Sequence, residues 1–137
     1  MTTHPVLLWL YVLNATLLIT HEIDSAYWKE WRLFWGLLGP RQQPLPDRVG
    51  APLFVLLHLP MVGALLWGLL EVARSTTAGY MMSLVLGACG VFAFTVHSLF
   101  IRAGHPEFRT AVSQAVLWGS LAVSGAQLLA ASAVLVG

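Results

Sequence analysis

Four near-continuous apolar stretches, separated only by short polar segments, dominate this chain. Each holds about 20 residues, the length at which an α-helix crosses a hydrocarbon core of roughly 30 Å. That recurrence predicts an all-α integral membrane four-helix bundle, with residues 1–137 forming a single domain. Composition agrees: 58% of residues are hydrophobic and 9% charged, with a mean hydropathy of +0.76, whereas a soluble domain carries about 25% charge. A net charge of +1 with no basic patch excludes nucleic acid as a partner. The only cysteine, Cys89, lies inside an apolar run, cannot form an intrachain disulfide and reads as a small buried hydrophobe.

The helices are expected at about residues 5–28, 51–72, 78–102 and 108–136. The first continues towards residue 38, partly along the membrane interface, where Tyr27, Trp28, Trp31 and Trp35 resemble an aromatic belt. Pro40, Pro44 and Pro46 make residues 39–48 a loop, and short turns are expected at 74–79 and 103–106. No internal repeat is visible, and no Lys or Arg precedes the first apolar run, so a cleavable signal peptide is not expected. Charge sets the orientation. Lys29, Arg32, Arg41 and Arg48 follow the first helix, Arg102 and Arg109 flank the last connection, and Arg74 alone falls on the other side. The positive-inside rule then puts the first and third connections in the cytoplasm and both termini on the outer side. The fourth helix carries Ala111, Ala115 and Gly119, then Ala122, Ala126 and Ala130, at four-residue spacing. Such small residues allow close helix packing, within the bundle or against a second copy or a partner membrane protein.

Inside these apolar stretches stand three histidines: His21, His58 and His97. Ionisable groups are costly in hydrocarbon and mark ion, proton or cofactor sites facing the bundle interior. With the expected topology, His21 is near the cytoplasmic end of its helix. At 1.5 Å per residue, His58 lies ~10 Å and His97 ~8 Å from the same end. One imidazole from each of three helices therefore falls at one depth. His21 belongs to His21-Glu22-Ile23-Asp24, and a spacing of three puts Asp24 on the His21 face. Glu22 points about 100° away, towards a neighbouring helix or the headgroups. Pro60 removes a hydrogen-bond donor just after His58, so a kink exposing the Leu56 carbonyl is expected. Asn14, Ser124 and Gln127 read as interhelical hydrogen-bond partners, and Glu71 with Arg74 as a surface pair.

The run His21-Glu22-Ile23-Asp24-Ser25-Ala26-Tyr27-Trp28-Lys29-Glu30-Trp31-Arg32-Leu33-Phe34 resembles a segment of small four-helix bacterial membrane proteins. It is also similar to the bacterial membrane family named for a His-x-x-Glu-Glu motif, where this chain has Asp24 and Ser25 instead. The resemblance implies a location in the bacterial inner membrane and supplies no activity.

Three functions follow from the residues. The first is a cytoplasm-facing metal site or acid/base enzyme. Imidazoles suit zinc, iron or copper, and a carboxylate completes the set. Its expected metal ligands are His21, Asp24, His58 and His97. The catalytic candidates are Asp24, Glu22 and His21, acting on membrane lipid or a lipophilic small molecule. The second is a haem bundle with His58 and His97 as axial ligands, non-covalent because no CxxCH sequence is present. The third is a small transport or accessory subunit, with His and Asp as a proton relay or with the fourth helix against a partner.

Overall fold

A computed structural model of the protein describes residues 5–33, 45–105 and 107–136. They form four long helices, α1 (Pro5–Tyr27), α2 (Asp47–Ala73), α3 (Thr77–Arg102) and α4 (Ala111–Val136), and no strand occurs among the described residues. All four are long and apolar enough to cross a membrane. The first helix does not continue unbroken towards residue 38 as expected: it ends at Tyr27, a turn occupies 28–30, and helix resumes at 31–33. Residues 34–38 of that stretch, including Trp35, the loop residues 39–44 and Pro106 lie outside the described residues.

Two helix starts differ from expectation, each for a local reason. α2 begins at Asp47 rather than residue 51, directly after the extended Pro46. An acidic residue in the first turn complements the positive end of the helix dipole. α4 begins at Ala111 rather than residue 108, because the Thr110 hydroxyl accepts the Ser113 N–H at 3.1 Å and caps the helix there. α2 runs unbroken through Pro52 and Pro60.

Three helices end in the same way. After α1, Lys29 N–H donates to the Ala26 carbonyl and Glu30 N–H to the Ser25 carbonyl. Ser75 and Thr76 repeat the pattern after α2, and Gly104 and His105 after α3. This is the Schellman arrangement, whose turning residue sits in the left-handed region. Gly104 does so freely at φ 96°, while Lys29 (57°) and Ser75 (56°) do so as non-glycine residues.

α4 packs on both α3 and α1, and α2 packs on α3 and α1 but not on α4 among the described residues. The α1 residues Leu7, Tyr11, Leu18 and the α2–α4 residues Leu65, Val72, Leu86 and Ala131 make the core. The packed face of α4 is not the expected alanine stripe. Ser113, Ser120, Ser124 and Gln127 are buried, while Ala111, Ala115, Ala122 and Ala126 are exposed. A hydroxyl is nearly as small as a methyl and can also bond across helices. Asn14 Nδ2 donates to Gln127 Oε1 at 2.7 Å, and Ser124 Oγ donates to Asn14 Oδ1 at 3.2 Å, the interhelical partnership expected of these three. The Glu71–Arg74 pair is also present, at 3.1 Å.

Candidate metal centre

The buried residues of α1 are Leu7, Tyr11, Asn14, Leu18, His21 and Ser25, one stripe with steps of four and three. That spacing keeps one helix face towards its neighbours and carries His21 inward. On α3, Ser83, Gly87, Gly90 and His97 lie on the buried face. The two imidazoles meet edge to face, with ring centroids 4.5 Å apart. Phe108 roofs them from the α3–α4 turn. It is fully buried, held at φ 64°, and its ring lies 4.2 Å from His97 and 6.3 Å from His21.

A third group joins them that the sequence had not singled out. Glu30 follows the Lys29 turn and is only 4% exposed. In a Schellman cap the residue after the turn folds back over the last helical turn. Here that residue is Glu30, and it returns to the Ser25 side of α1, the face that carries His21. Its Oε1 lies 3.1 Å from His97 Nε2. One ligand atom each from His21, Glu30 and His97 lies within 4.8 Å of the others. Around tetrahedral zinc, with bonds of about 2.0–2.2 Å, donor atoms stand ~3.4 Å apart. Closing on an ion therefore takes side-chain shifts of about an ångström.

The hydrogen bonds orient this set for a cation. His97 Nδ1 lies 2.7 Å from the Ala93 carbonyl, which can only accept, so Nδ1 carries the proton. Nε2 then faces the cluster 3.1 Å from Glu30 Oε1, an ion-pair partner of that carboxylate when protonated and a free lone pair beside it when not. In metal sites the ligating histidine is usually fixed in this way, through its other nitrogen by a backbone carbonyl or carboxylate. His21 Nδ1 is buried and has no hydrogen-bond partner. Burial disfavours the Glu30 carboxylate, but the His97 and Ser25 side chains and the charge of His21 outweigh it and hold the carboxyl below its usual range.

Outside the cluster, a clasp holds the Glu30 segment in place. Asp47 takes Lys29 Nζ at 2.8 Å, Arg32 Nε at 2.8 Å and Trp31 Nε1 at 3.2 Å. These residues flank Glu30 on both sides. Trp31 also lies so close over Gly50 that any Cβ there would run into its ring.

The remaining expected residues occupy distinct places. His58 lies outside the three-residue group. Its Nε2 is 2.8 Å from Glu22 Oε2 and its Nδ1 is 2.5 Å from the Phe54 carbonyl. With both ring nitrogens facing oxygens, the pair carries one proton more than a neutral imidazole beside a carboxylate. Asp24 also stands apart from the three and is half-buried, with its Oδ2 buried and unpartnered. Glu22, His58, His21, Glu30 and His97 all line one cavity of about 530 Å³ between α1, α2 and α3.

No curated protein and no solved structure matches the chain. A family model described as a family of unknown function, DUF6713, matches residues 7–134, a span that includes every residue of the centre. The chain, with its four apolar helices and its buried His/Glu/His set, belongs to that family.

Proposed function

We propose that this protein is an integral membrane metalloprotein whose His21, Glu30 and His97 hold a zinc or iron ion for chemistry on a lipid-like substrate. One observation carries the reading. Three buried donor groups converge, with the His97 ring fixed by its Nδ1 contact to the Ala93 carbonyl and His21 Nδ1 left with no hydrogen-bond partner. Buried polar atoms are nearly always satisfied, and a cation held by the three would satisfy His21 Nδ1. Two imidazoles and a carboxylate are a donor set suited to zinc or iron. Three protein ligands leave a fourth position open, the arrangement in which zinc activates water or polarises a carbonyl. Glu22 and His58, in the same cavity, are the acid/base pair, whereas Asp24 does not line that cavity. The positive-inside orientation would turn this end of the bundle towards the cytoplasmic leaflet. The haem alternative is weaker, because both ring nitrogens of His58 are already engaged.

The test is elemental analysis with a visible spectrum on purified protein, wild type beside three variants. Near-stoichiometric zinc or iron is expected in wild type and in His58→Ala, and its loss in His97→Ala and Glu30→Gln. A folded wild-type protein that takes up neither ion, even after reconstitution, sinks the reading. A Soret band would return the assignment to haem.

A further inference from the structure

The cavity beside the centre is strongly polarised. Its imidazoles and carboxylates, on His21, Glu22, Glu30, His58 and His97, gather at one end, and the rest of its wall is aliphatic and aromatic apart from Cys89, which is exposed on α3 rather than buried as expected. The apolar end reaches Leu65 on α2 and Met82 on α3. At 1.5 Å per residue, those positions lie ~10 Å and ~22 Å along their helices from His58 and His97. The space is thus long rather than round. Its volume, about 530 Å³, is within the usual range of small-molecule sites. At about 30 Å³ for each water-sized group, it holds roughly 18 heavy atoms, enough for one chain with a small polar end.

The wall also says where a ligand comes in. From Asp47 to Ala64, α2 buries only Gly50, whereas Leu65, Gly68 and Val72 are buried nearer the α2–α3 turn. The two helices are therefore closed at the turn and spread at the histidine end. Among the lining residues, Leu57 on α2 is 62% exposed and Phe92 on α3 is 64% exposed. Both lie within the membrane-spanning stretches, so the gap faces hydrocarbon. At the polar end, Trp31 lies over Gly50 and Phe108 covers the His21 and His97 rings.

We propose that the cavity binds a single-chain amphiphile, admitted sideways from the bilayer between α2 and α3. Its apolar chain lies along Leu57, Met61 and Val85, and its polar group lies at the His/Glu end. Burial of the chain supplies the affinity, and the polar end fixes which atom faces the donor groups. This assignment names the substrate class for the metal-centre reading and rests on it for the chemistry, while the binding itself is tested without reference to metal.

The experiment uses the full chain in nanodiscs of two-chain phosphatidylcholine, with a diazirine-bearing straight-chain fatty alcohol as photoprobe and mass spectrometry to map the labelled residues. Labelling is expected at cavity residues such as Leu57, Met61 and Val85 and is lost on adding unlabelled single-chain alcohol. Competition by a straight-chain or a prenyl alcohol supports the proposal either way and tells the two sources apart. Ala64→Trp and Val85→Trp each fill the cavity from an exposed position away from the donor groups, and each is expected to abolish labelling with metal content retained. Labelling spread over outward residues such as Val112 and Leu129, or labelling that no single-chain competitor reduces, overturns the proposal. Metal content is read on the same samples. Metal without specific labelling removes this inference alone, and specific labelling without metal removes the metal-centre reading alone.

Discussion

A buried imidazole can donate from one nitrogen and ligate from the other, and the Ala93 carbonyl decides which at His97. With Nδ1–H committed to that carbonyl, a proton and a metal ion compete for the same Nε2 lone pair. Metal binding to such a set releases protons. Metal affinity is therefore expected to fall as pH drops through the histidine range, near 6.5 for an unperturbed ring. A metal titration repeated at several pH values checks this, and an affinity indifferent to pH would mean the ion sits on other ligands. At this scale the sequence was partly legible. His21 and His97 could be paired because helix rise alone sets their depth, and they do meet. His58 had the same depth, but depth does not say which way a ring turns. Its partner is Glu22, 36 positions away, across an interhelical gap that no local spacing describes.

Glu30 escaped for a reason that belongs to the elements. The turn that returns it to the bundle is a left-handed cap, and the usual sequence signal for such a cap is glycine. Here the turning residue is Lys29, at φ 57°, so the run Trp28-Lys29-Glu30-Trp31 reads as helix or interface. What keeps Glu30 in place is the Asp47 clasp on Lys29, Trp31 and Arg32. Asp47→Asn is expected to weaken metal binding ~10–100-fold, the usual cost of losing an outer-shell support. Because these ion pairs are exposed, overall stability should hardly change. Asp47→Glu should restore part of the affinity. Competition against a chelator of known strength measures both, and equal affinity in wild type and Asp47→Asn would show that the clasp does not position Glu30. The cap after α2 gives a stability test of the same geometry. Ser75 is left-handed at φ 56°, nearly buried, and its hydroxyl has no partner. Ser75→Gly is expected to raise stability by about 1 kcal/mol, since glycine takes the left-handed conformation without the steric cost. Thermal unfolding in one detergent reads it directly, and a lower midpoint would contradict the strained-cap account.

Across the whole molecule, the cavity is a consequence of where the helices are allowed to touch. Near the α2–α3 turn, glycines bring backbones together. A Cβ on Gly79 would run into the Glu71 and Val72 backbone, and one on Gly68 into the Tyr11 hydroxyl. Towards the histidine end α2 buries no such contact with α3, and Leu53, Phe54 and Leu57 are cavity wall. Hydropathy gave the number of helices, since length and apolarity suffice to define a span. It could not give this wedge, because every face of a membrane helix is apolar and no hydrophobic stripe separates inside from outside. The same blindness turned attention to the outward alanines of α4 instead of its packed serines. The wedge makes a paired prediction. Gly79→Ala forces a methyl into the α2 backbone and is expected to cost about 1–3 kcal/mol, as overpacking does. Gly63→Ala adds the same methyl on α2 where nothing lies within 4 Å. It is expected to stabilise by roughly 0.5–1 kcal/mol through helix propensity alone. Unfolding midpoints of the two variants, measured side by side, should move in opposite directions. If both move the same way, α2 and α3 do not close at their turn, and the spread that opens the cavity at the other end loses its cause.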